Sequence, residues 1–211
     1  MTGILHYEAF LLAGILLNLT PGNDTFFILS KSMGEGRKAG IVSALGIGAG
    51  SFVHTLLAAF GLSVLIARSL FWFNLLKYAG VVYLLYIGYQ MVRQKQAVLP
   101  DSSEMHLPTR DWKNFRDALL TNLLNPKVVL FFMAFLSQFI DVSHRNSAVP
   151  FLILGLTFIT TGTLWCIVLA VFAAGILVNL KQNPRVARLV NQACGVTLWL
   201  LGFKIAFLDS L

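Results

Sequence analysis

Long runs of apolar residues, separated by short polar segments, make up most of this sequence. A helix that crosses the hydrocarbon core of a bilayer needs about 20 mostly apolar residues. The stretches that meet this length are Leu5–Leu29, Ala39–Ala67, Leu70–Val92, Ala118–Ile140, Ala148–Leu180 and Ala187–Leu208. The pattern therefore predicts an all-α, polytopic membrane bundle of six transmembrane helices. The first stretch has no basic segment before it and no small-residue cleavage site after it, so we expect a retained helix.

The first predicted span is interrupted by proline, glycine and polar residues. The interruption consists of Thr20, Pro21, Gly22, Asn23, Asp24 and Thr25. Proline removes a backbone donor and clashes with the carbonyl one turn earlier, while glycine lets the chain leave helical geometry, so we expect the helix to break here. Freed backbone groups are tolerated at membrane depth only where they face protein or a water-filled cavity. We therefore also expect a polar cavity next to Pro21.

Asp24 is the only acidic residue well inside a predicted span. Placing an aspartate at membrane depth costs about 2.5–3.5 kcal/mol on insertion scales, which makes an intramembrane carboxylate a functional-site hypothesis. The carboxylate could bind an ammonium group or carry a proton. The alternative is that Asp24 lies near the cytoplasmic interface and caps the helix that restarts after the break.

The fourth predicted span contains a second break. Lys127 follows it, and this side chain could face a substrate carboxylate, pair with Asp24 if the two spans meet, or extend to the lipid headgroups, as lysines near helix ends do. The two interruptions together define the predicted site for substrate and protons. That site comprises Pro21, Gly22, Asn23, Asp24, Thr25, Asn122, Asn125, Pro126 and Lys127.

The two halves of the chain show weak similarity to each other. Residues 79–88 resemble residues 194–202 when one gap is allowed, and each half begins with a span that contains a proline break. Two repeats of three spans must be inverted relative to each other, and transporters built from inverted repeats hold their substrate near the bilayer midplane. We therefore predict a first repeat at 1–92, a cytoplasmic linker at 93–117 and a second repeat at 118–211. The alternative is that Leu, Phe and Gly recur by chance in apolar sequence.

Composition and charge support a membrane location. Hydrophobic residues make up 57% of the chain and charged residues only 12%, and the net charge is +7. Most basic residues lie in the first, third and fifth connections, whereas the second and fourth hold only Arg68 and Arg145. Since cytoplasmic loops are enriched in Lys and Arg, this bias predicts a multi-pass protein of the cytoplasmic (inner) membrane with both termini outside, which a five-span topology would change. The basic residues fit the headgroups of membrane lipids better than nucleic acid.

The remaining conspicuous residues favour packing over chemistry. Gly46, Gly48 and Gly50 form a small-residue stripe that lets helices approach closely and would permit a homodimer. His54 could relay protons, but a buried histidine satisfied by one hydrogen bond is the more common case. The sequence contains no phosphate-binding loop, no HExxH helix and no metal-ligand cluster, so we expect no cofactor, no resident metal and no enzymatic activity.

The residues Pro21–Asp24 in the first predicted span, together with Asn125–Lys127 in the fourth, resemble the paired motif of the LysE/RhtB family. The apolar stretches, the glycine stripe and the polar linker resemble that family too, so the resemblance spans essentially the whole chain. It implies a secondary transporter that exports amino acids or close derivatives in exchange for protons. The neutral-substrate branch has Pro, Gly, Pro and then Asp or Asn here, which places Asp24 nearer the exporters of neutral amino acids, homoserine and threonine. Asn23 departs from that pattern, because a second proline is expected there.

The resulting hypothesis is a carrier whose repeats rock around the site. A zwitterionic amino acid would enter from the cytoplasm with its ammonium near Asp24 and its carboxylate near freed amides or Lys127, and a proton from outside would displace it. The alternatives are a passive channel through the broken-helix cavity and a metal-cation exporter of a related six-helix type. A membrane-embedded enzyme is the least favoured class, since no reactive pair of residues is evident.

Overall fold

The computed structural model of the chain describes residues 3–62, 70–93, 111–144 and 147–182, together with isolated positions between 188 and 203. Nearly all of these residues are helical, which confirms the all-α prediction. The helices are α1 (Tyr7–Leu19), α2 (Asn23–Gly34), α3 (Arg37–Leu57), α4 (Leu70–Arg93), α5 (Asp111–Leu123), α6 (Pro126–Leu130) and α7 (Ala148–Gln182). A π-helical turn at Ala58–Leu62 continues α3, and a second one at Phe131–Phe135, followed by a 3-10 turn at Leu136–Phe139, continues α6.

Both predicted helix breaks are present. Residues 20–22 separate α1 from α2, and residues 124–125 separate α5 from α6. At the second break the helix axis bends by 54°. The Asn125 side chain caps α6 by accepting a hydrogen bond of 3.1 Å from the backbone N–H of Lys127. Proline opens α6, which suits a position where the helix needs no backbone donor.

Two helices in the described part of the chain are long and apolar enough to cross a membrane. They are Arg37–Gly61, which is α3 with most of its π-helical turn, and the Ala148–Ala173 part of α7. A third span results if α5 and the segment Lys127–Phe139 are counted together as one bent span. α4 coincides with the third predicted span, while the sixth, Ala187–Leu208, lies mostly outside the described residues. Six spans in two inverted repeats therefore stay a prediction.

The helix α5 begins at Asp111, earlier than the predicted start at Ala118. Its first two turns are polar in sequence yet amphipathic, because Asn114 is fully buried while Trp112, Lys113 and Arg116 are exposed. The Asn114 amide donates a hydrogen bond of 2.9 Å to Glu35 Oε2, and Glu35 Oε1 lies 2.6 Å from Lys31 Nζ. This partly buried polar contact ties the end of α2 to α5, which explains how polar residues at the end of the predicted linker form part of a packed helix.

The glycines of α3 lie at its contacts with other helices of the same chain. A Cβ at Gly46 would collide with the carbonyl oxygen of Phe115 in α5, and a Cβ at Gly50 would lie 2.7 Å from Asn122 Oδ1. Gly48 faces α7 instead. The predicted packing role of the stripe therefore holds within the chain, and the homodimer that the stripe suggested stays a prediction.

A cluster of phenylalanines fills the core between α1 and the irregular helix that follows α6. Phe10 of α1 is fully buried, and its ring centroid lies 5.3–6.2 Å from those of Phe131, Phe135 and Phe139. Beyond this cluster the backbone N–H of Leu5 donates to the carbonyl oxygen of Phe139 at 2.8 Å. The start of α1 is thereby attached to the end of the bent helix.

Gly46→Ala should destabilise the protein, because the new methyl group meets backbone of α5 that cannot rotate away. Overpacking of this kind costs about 1–3 kcal/mol, which outweighs the gain of about 1 kcal/mol in helix propensity. The matched control is Gly61→Ala, since a Cβ at Gly61 has no atom within 4 Å in the described structure. Thermal unfolding of the detergent-solubilised variants measures the difference. Equal unfolding temperatures for the two variants would contradict the close α3–α5 contact.

Candidate functional site

The two helix breaks meet at the carboxylate of Asp24. Its Oδ2 accepts a hydrogen bond of 2.8 Å from the side-chain amide of Asn122 at the end of α5, and its Oδ1 accepts one of 3.0 Å from Asn125 in the second break. Both asparagines are almost fully buried. Sequence positions about a hundred residues apart are thus brought into one hydrogen-bonded group, and each carboxylate oxygen has an amide donor.

Asp24 lies in the first turn of α2 rather than at its cap. The N-cap is Gly22, whose extended backbone (φ −163°) makes the transition out of the break. A carboxylate in the first turn is stabilised by the positive end of the helix dipole. The alternative role predicted for Asp24, as the capping residue, is therefore not the one it has, because its side chain binds Asn122 and Asn125 instead.

Lys127 binds the end of α1. Its Nζ donates hydrogen bonds of 2.7 Å to the carbonyl oxygen of Leu17 and 2.9 Å to that of Thr20. The last carbonyls of a helix have no partner within the helix and carry the negative end of its dipole, so a lysine there satisfies both hydrogen bonding and charge. The ammonium group faces protein rather than extending to lipid headgroups.

Ser51 of α3 extends the polar group. Its hydroxyl donates a hydrogen bond of 3.3 Å to Asn122 Oδ1, the amide oxygen that is not used by Asp24. Asn122 can lie this close to α3 because position 50 is glycine. The arrangement of Ser51, Asn122, Asp24 and Asn125 links α3, α5, α2 and the second break through side-chain hydrogen bonds.

A cavity of about 50 Å³ lies beside this group. Its polar wall consists of Asn18, Thr20, Asp24, Thr25, Ser51, Asn122, Asn125, Lys127 and Thr163. Its apolar lining residues are Leu17, Ile47, Val128, Phe158, Ile159, Trp165 and Cys166, and Gly22, Gly48 and Gly162 also line it. An engineered apolar cavity of about 150 Å³ is large enough for benzene, so a cavity a third of that size admits a few waters and is closed to most amino acids.

The predicted site residues divide into two groups. Those that line the cavity are Gly22, Asp24, Thr25, Asn122, Asn125 and Lys127. Pro21 lies in the first break and Asn23 at the start of α2; neither lines the cavity, and Asn23 is exposed. Pro126 opens α6. Six lining residues of α7 were not predicted from the sequence: Phe158, Ile159, Gly162, Thr163, Trp165 and Cys166. The run of threonines and glycine at 160–163, unusual in an apolar span, was the available signal.

His54 lies outside this cavity. It is buried, its ring stacks on Phe132 at 5.6 Å, and it lines a separate apolar chamber of about 450 Å³. Ser51, one turn earlier on α3, lines the polar cavity instead. The proton-relay role considered for His54 has no support from a shared cavity. Among the residues described, no group of three His, Cys, Asp or Glu side chains could hold a metal ion.

Comparison with known proteins places the chain among membrane translocators. Residues 15–208 match the family described as LysE type translocator. The leucine efflux protein of Klebsiella pneumoniae subsp. pneumoniae is 30% identical, over 99% of this chain and 98% of that protein. The leucine efflux protein of Salmonella typhimurium is also 30% identical, with the same coverage, and that of an Enterobacter species is 31% identical over 92% of both chains. No solved structure matches the chain.

Lys127→Met should lower the unfolding temperature, because the carbonyls of Leu17 and Thr20 lose a charged donor and Asp24 loses a nearby positive charge. The expected cost is about 1–3 kcal/mol. In the double variant with Asp24→Asn the loss should be smaller than the sum of the single losses, because each single variant leaves the other charge uncompensated. Thermal unfolding in detergent measures all three, with the exposed Lys113→Met as the control. Additive losses would show that the two charges are not coupled.

Proposed function

The chain belongs to the LysE type translocator family, and on that basis we propose that it exports amino acids with aliphatic side chains from the cytoplasm in exchange for protons. Members of this family are transporters, so the chain is not an enzyme. The observation that carries the proposal is the Asp24 carboxylate, held at the junction of two broken helices inside a bundle of apolar helices.

An α-amino acid needs three things from its site: an anion for the ammonium, donors for the carboxylate and a surface for the side chain. Asp24 supplies the anion. Lys127 places a positive charge in the wall of the same cavity, although two of its hydrogen bonds go to carbonyl oxygens of α1. A zwitterion is therefore matched better than a simple cation, for which Lys127 would be repulsive.

The apolar lining residues favour a substrate with an aliphatic side chain. Ile47, Val128, Phe158 and Ile159 offer hydrocarbon surface without a polar partner of their own. A hydroxyl group buried against such a surface would lose its hydration without gaining a compensating hydrogen bond. The relatives that match over nearly their full length are named leucine efflux proteins. Among the neutral amino acids and the homoserine- or threonine-like derivatives that the resemblance implied, we therefore favour leucine and similar aliphatic residues.

The coupling to protons follows from competition at Asp24. The substrate ammonium and a proton both bind the carboxylate, so a proton that arrives from outside releases the ammonium there. As the two repeats rock around the site, the protonated carboxyl group of Asp24 then becomes accessible from the cytoplasmic side. The protein would lie in the cytoplasmic (inner) membrane with both termini outside, and its basic connections would face anionic lipid headgroups on the cytoplasmic side.

The rival function is a passive pore through the same cavity. A pore and a carrier differ in two measurable ways: a carrier saturates with substrate, and it moves substrate against a gradient when a second gradient is supplied. Saturable, uphill export favours the carrier; linear, strictly downhill flux favours the pore.

Asp24→Ala should reduce leucine efflux by at least about tenfold, because it removes the partner of the substrate ammonium and leaves two buried amides without an acceptor. Cells that lack other exporters are loaded with leucine-containing dipeptides, and efflux is followed at matched membrane expression. Asp111→Asn is the control, since Asp111 is an exposed acid paired with Lys38. Undiminished efflux from Asp24→Ala would refute the site, and no efflux from well-expressed wild type would refute the function.

Collapsing the proton gradient at constant internal leucine should stop uphill export by the wild type. Asp24→Asn should behave differently, because its amide oxygen can still accept one of the two hydrogen bonds from Asn122 and Asn125, but the side chain cannot take up a proton. We expect this variant to retain slow downhill exchange of leucine that no longer responds to a protonophore. Uphill wild-type export that persists without a proton gradient would exclude proton coupling.

A further inference from the structure

Trp165 lies on α7 and lines the polar cavity. Its indole Nε1 is buried and has no hydrogen-bond partner among the residues that the structure describes. Ser43 Oγ and His54 Nε2 share this property, but neither residue lines the polar cavity. A buried donor without an acceptor is uncommon in proteins, and this one belongs to a residue that lines the cavity, which calls for a functional explanation.

The chemistry of the indole restricts that explanation. An indole N–H donates one hydrogen bond and accepts none, so its partner must carry an acceptor oxygen. The carboxylate of an amino acid is such an acceptor, and hydrogen bonds to a charged group are roughly twice as strong as neutral ones. The ammonium group of the same substrate carries only donors, so the N–H of Trp165 cannot bind it.

The amide and ammonium donors of Asn122, Asn125 and Lys127 serve different partners. The amides of Asn122 and Asn125 both bind the Asp24 carboxylate. The ammonium of Lys127 donates to the carbonyls of Leu17 and Thr20. A substrate carboxylate is also repelled by Asp24, so it should lie away from α2. Trp165 lines the cavity from α7, which makes its indole the candidate donor for that carboxylate.

We propose that Trp165 Nε1–H donates a hydrogen bond to the α-carboxylate of the transported amino acid. The inference rests on the proposed function and adds an orientation to it: the ammonium lies on Asp24, and the carboxylate lies between the indole and the positive field of Lys127. The cavity of about 50 Å³ must widen to admit the substrate, and the Trp165 hydrogen bond forms in that wider state.

The decisive experiment compares two ligands on two proteins. The ligands are leucine and 3-methylbutylamine, which has the same ammonium and side chain but no carboxylate. The proteins are the wild type and Trp165→Phe, purified in lipid nanodiscs, where phenylalanine keeps an aromatic ring but removes the donor. Trp165→Phe should weaken leucine binding by about tenfold and 3-methylbutylamine binding by less than about twofold. Trp112→Phe is the control, because Trp112 is 70% exposed on α5, and it should change neither affinity.

Equal weakening of both ligands in Trp165→Phe, or no weakening of either, would overturn the assignment of Trp165 while leaving the proposed function intact. Failure of the wild type to bind leucine would overturn the proposed function and this inference with it. Should Trp165→Phe not fold, the indole N–H resonances of the ¹⁵N-labelled wild type give the answer. The chain has four tryptophans, and Trp72→Phe, Trp112→Phe and Trp199→Phe assign the other three. The Trp165 resonance should shift with leucine and not with 3-methylbutylamine.

Discussion

A carboxylate within an apolar helix bundle is the constraint on which the described structure depends. A buried polar group is tolerated when donors meet its lone pairs, and Asn122 and Asn125 provide one donor to each oxygen of Asp24. Asn122 can approach only because position 50 of α3 has no Cβ. The acid in the first break, the amides around the second and the glycine stripe between them are therefore parts of a single arrangement. A change to any one of them alters the surroundings of the carboxylate.

The two breaks also complete each other. α1 ends with carbonyl oxygens that no longer have helical partners, and Lys127 from the second break donates to two of them. α6 begins with backbone donors that need an acceptor, and Asn125 supplies one while its amide also binds Asp24. A single break in this surrounding would leave several polar groups unsatisfied at membrane depth. Two breaks in contact provide hydrogen-bond partners for many of each other's polar groups, which explains how an interrupted helix can remain in an apolar bundle.

The sequence was informative where the cause is local. Proline and glycine predict both breaks, and the rarity of an acid in an apolar span predicts that Asp24 matters. It was uninformative where the rotation of a helix about its axis and its packing against neighbours determine which residues line the cavity. Trp165 and Phe158 lie in a long span that is apolar nearly all round, so its sequence does not distinguish the face that meets the cavity from the face that meets lipid. The hydrogen-bond partner of Lys127 could not be predicted from the sequence either. Its four-carbon stem reaches several groups, and only the positions of the surrounding helices select among them.

In the proposed carrier, closure of the cavity and binding of substrate depend on the same atoms. Each oxygen of Asp24 accepts one amide hydrogen bond and keeps a second acceptor site, so an ammonium that binds there shares the carboxylate with Asn122 and Asn125 and weakens their bonds to it. Loss of either bond removes a side-chain tie between α2 and the second half of the chain, and the cavity must widen before an amino acid fits. Binding and widening therefore favour each other, as linkage requires of a ligand that prefers one of two conformations. A proton on Asp24 weakens the same ties without filling the cavity, which gives the empty carrier a separate route between its two states. A fixed pore would not need this coupling, so the position of both amides on the Asp24 carboxylate fits the proposed carrier better than a pore.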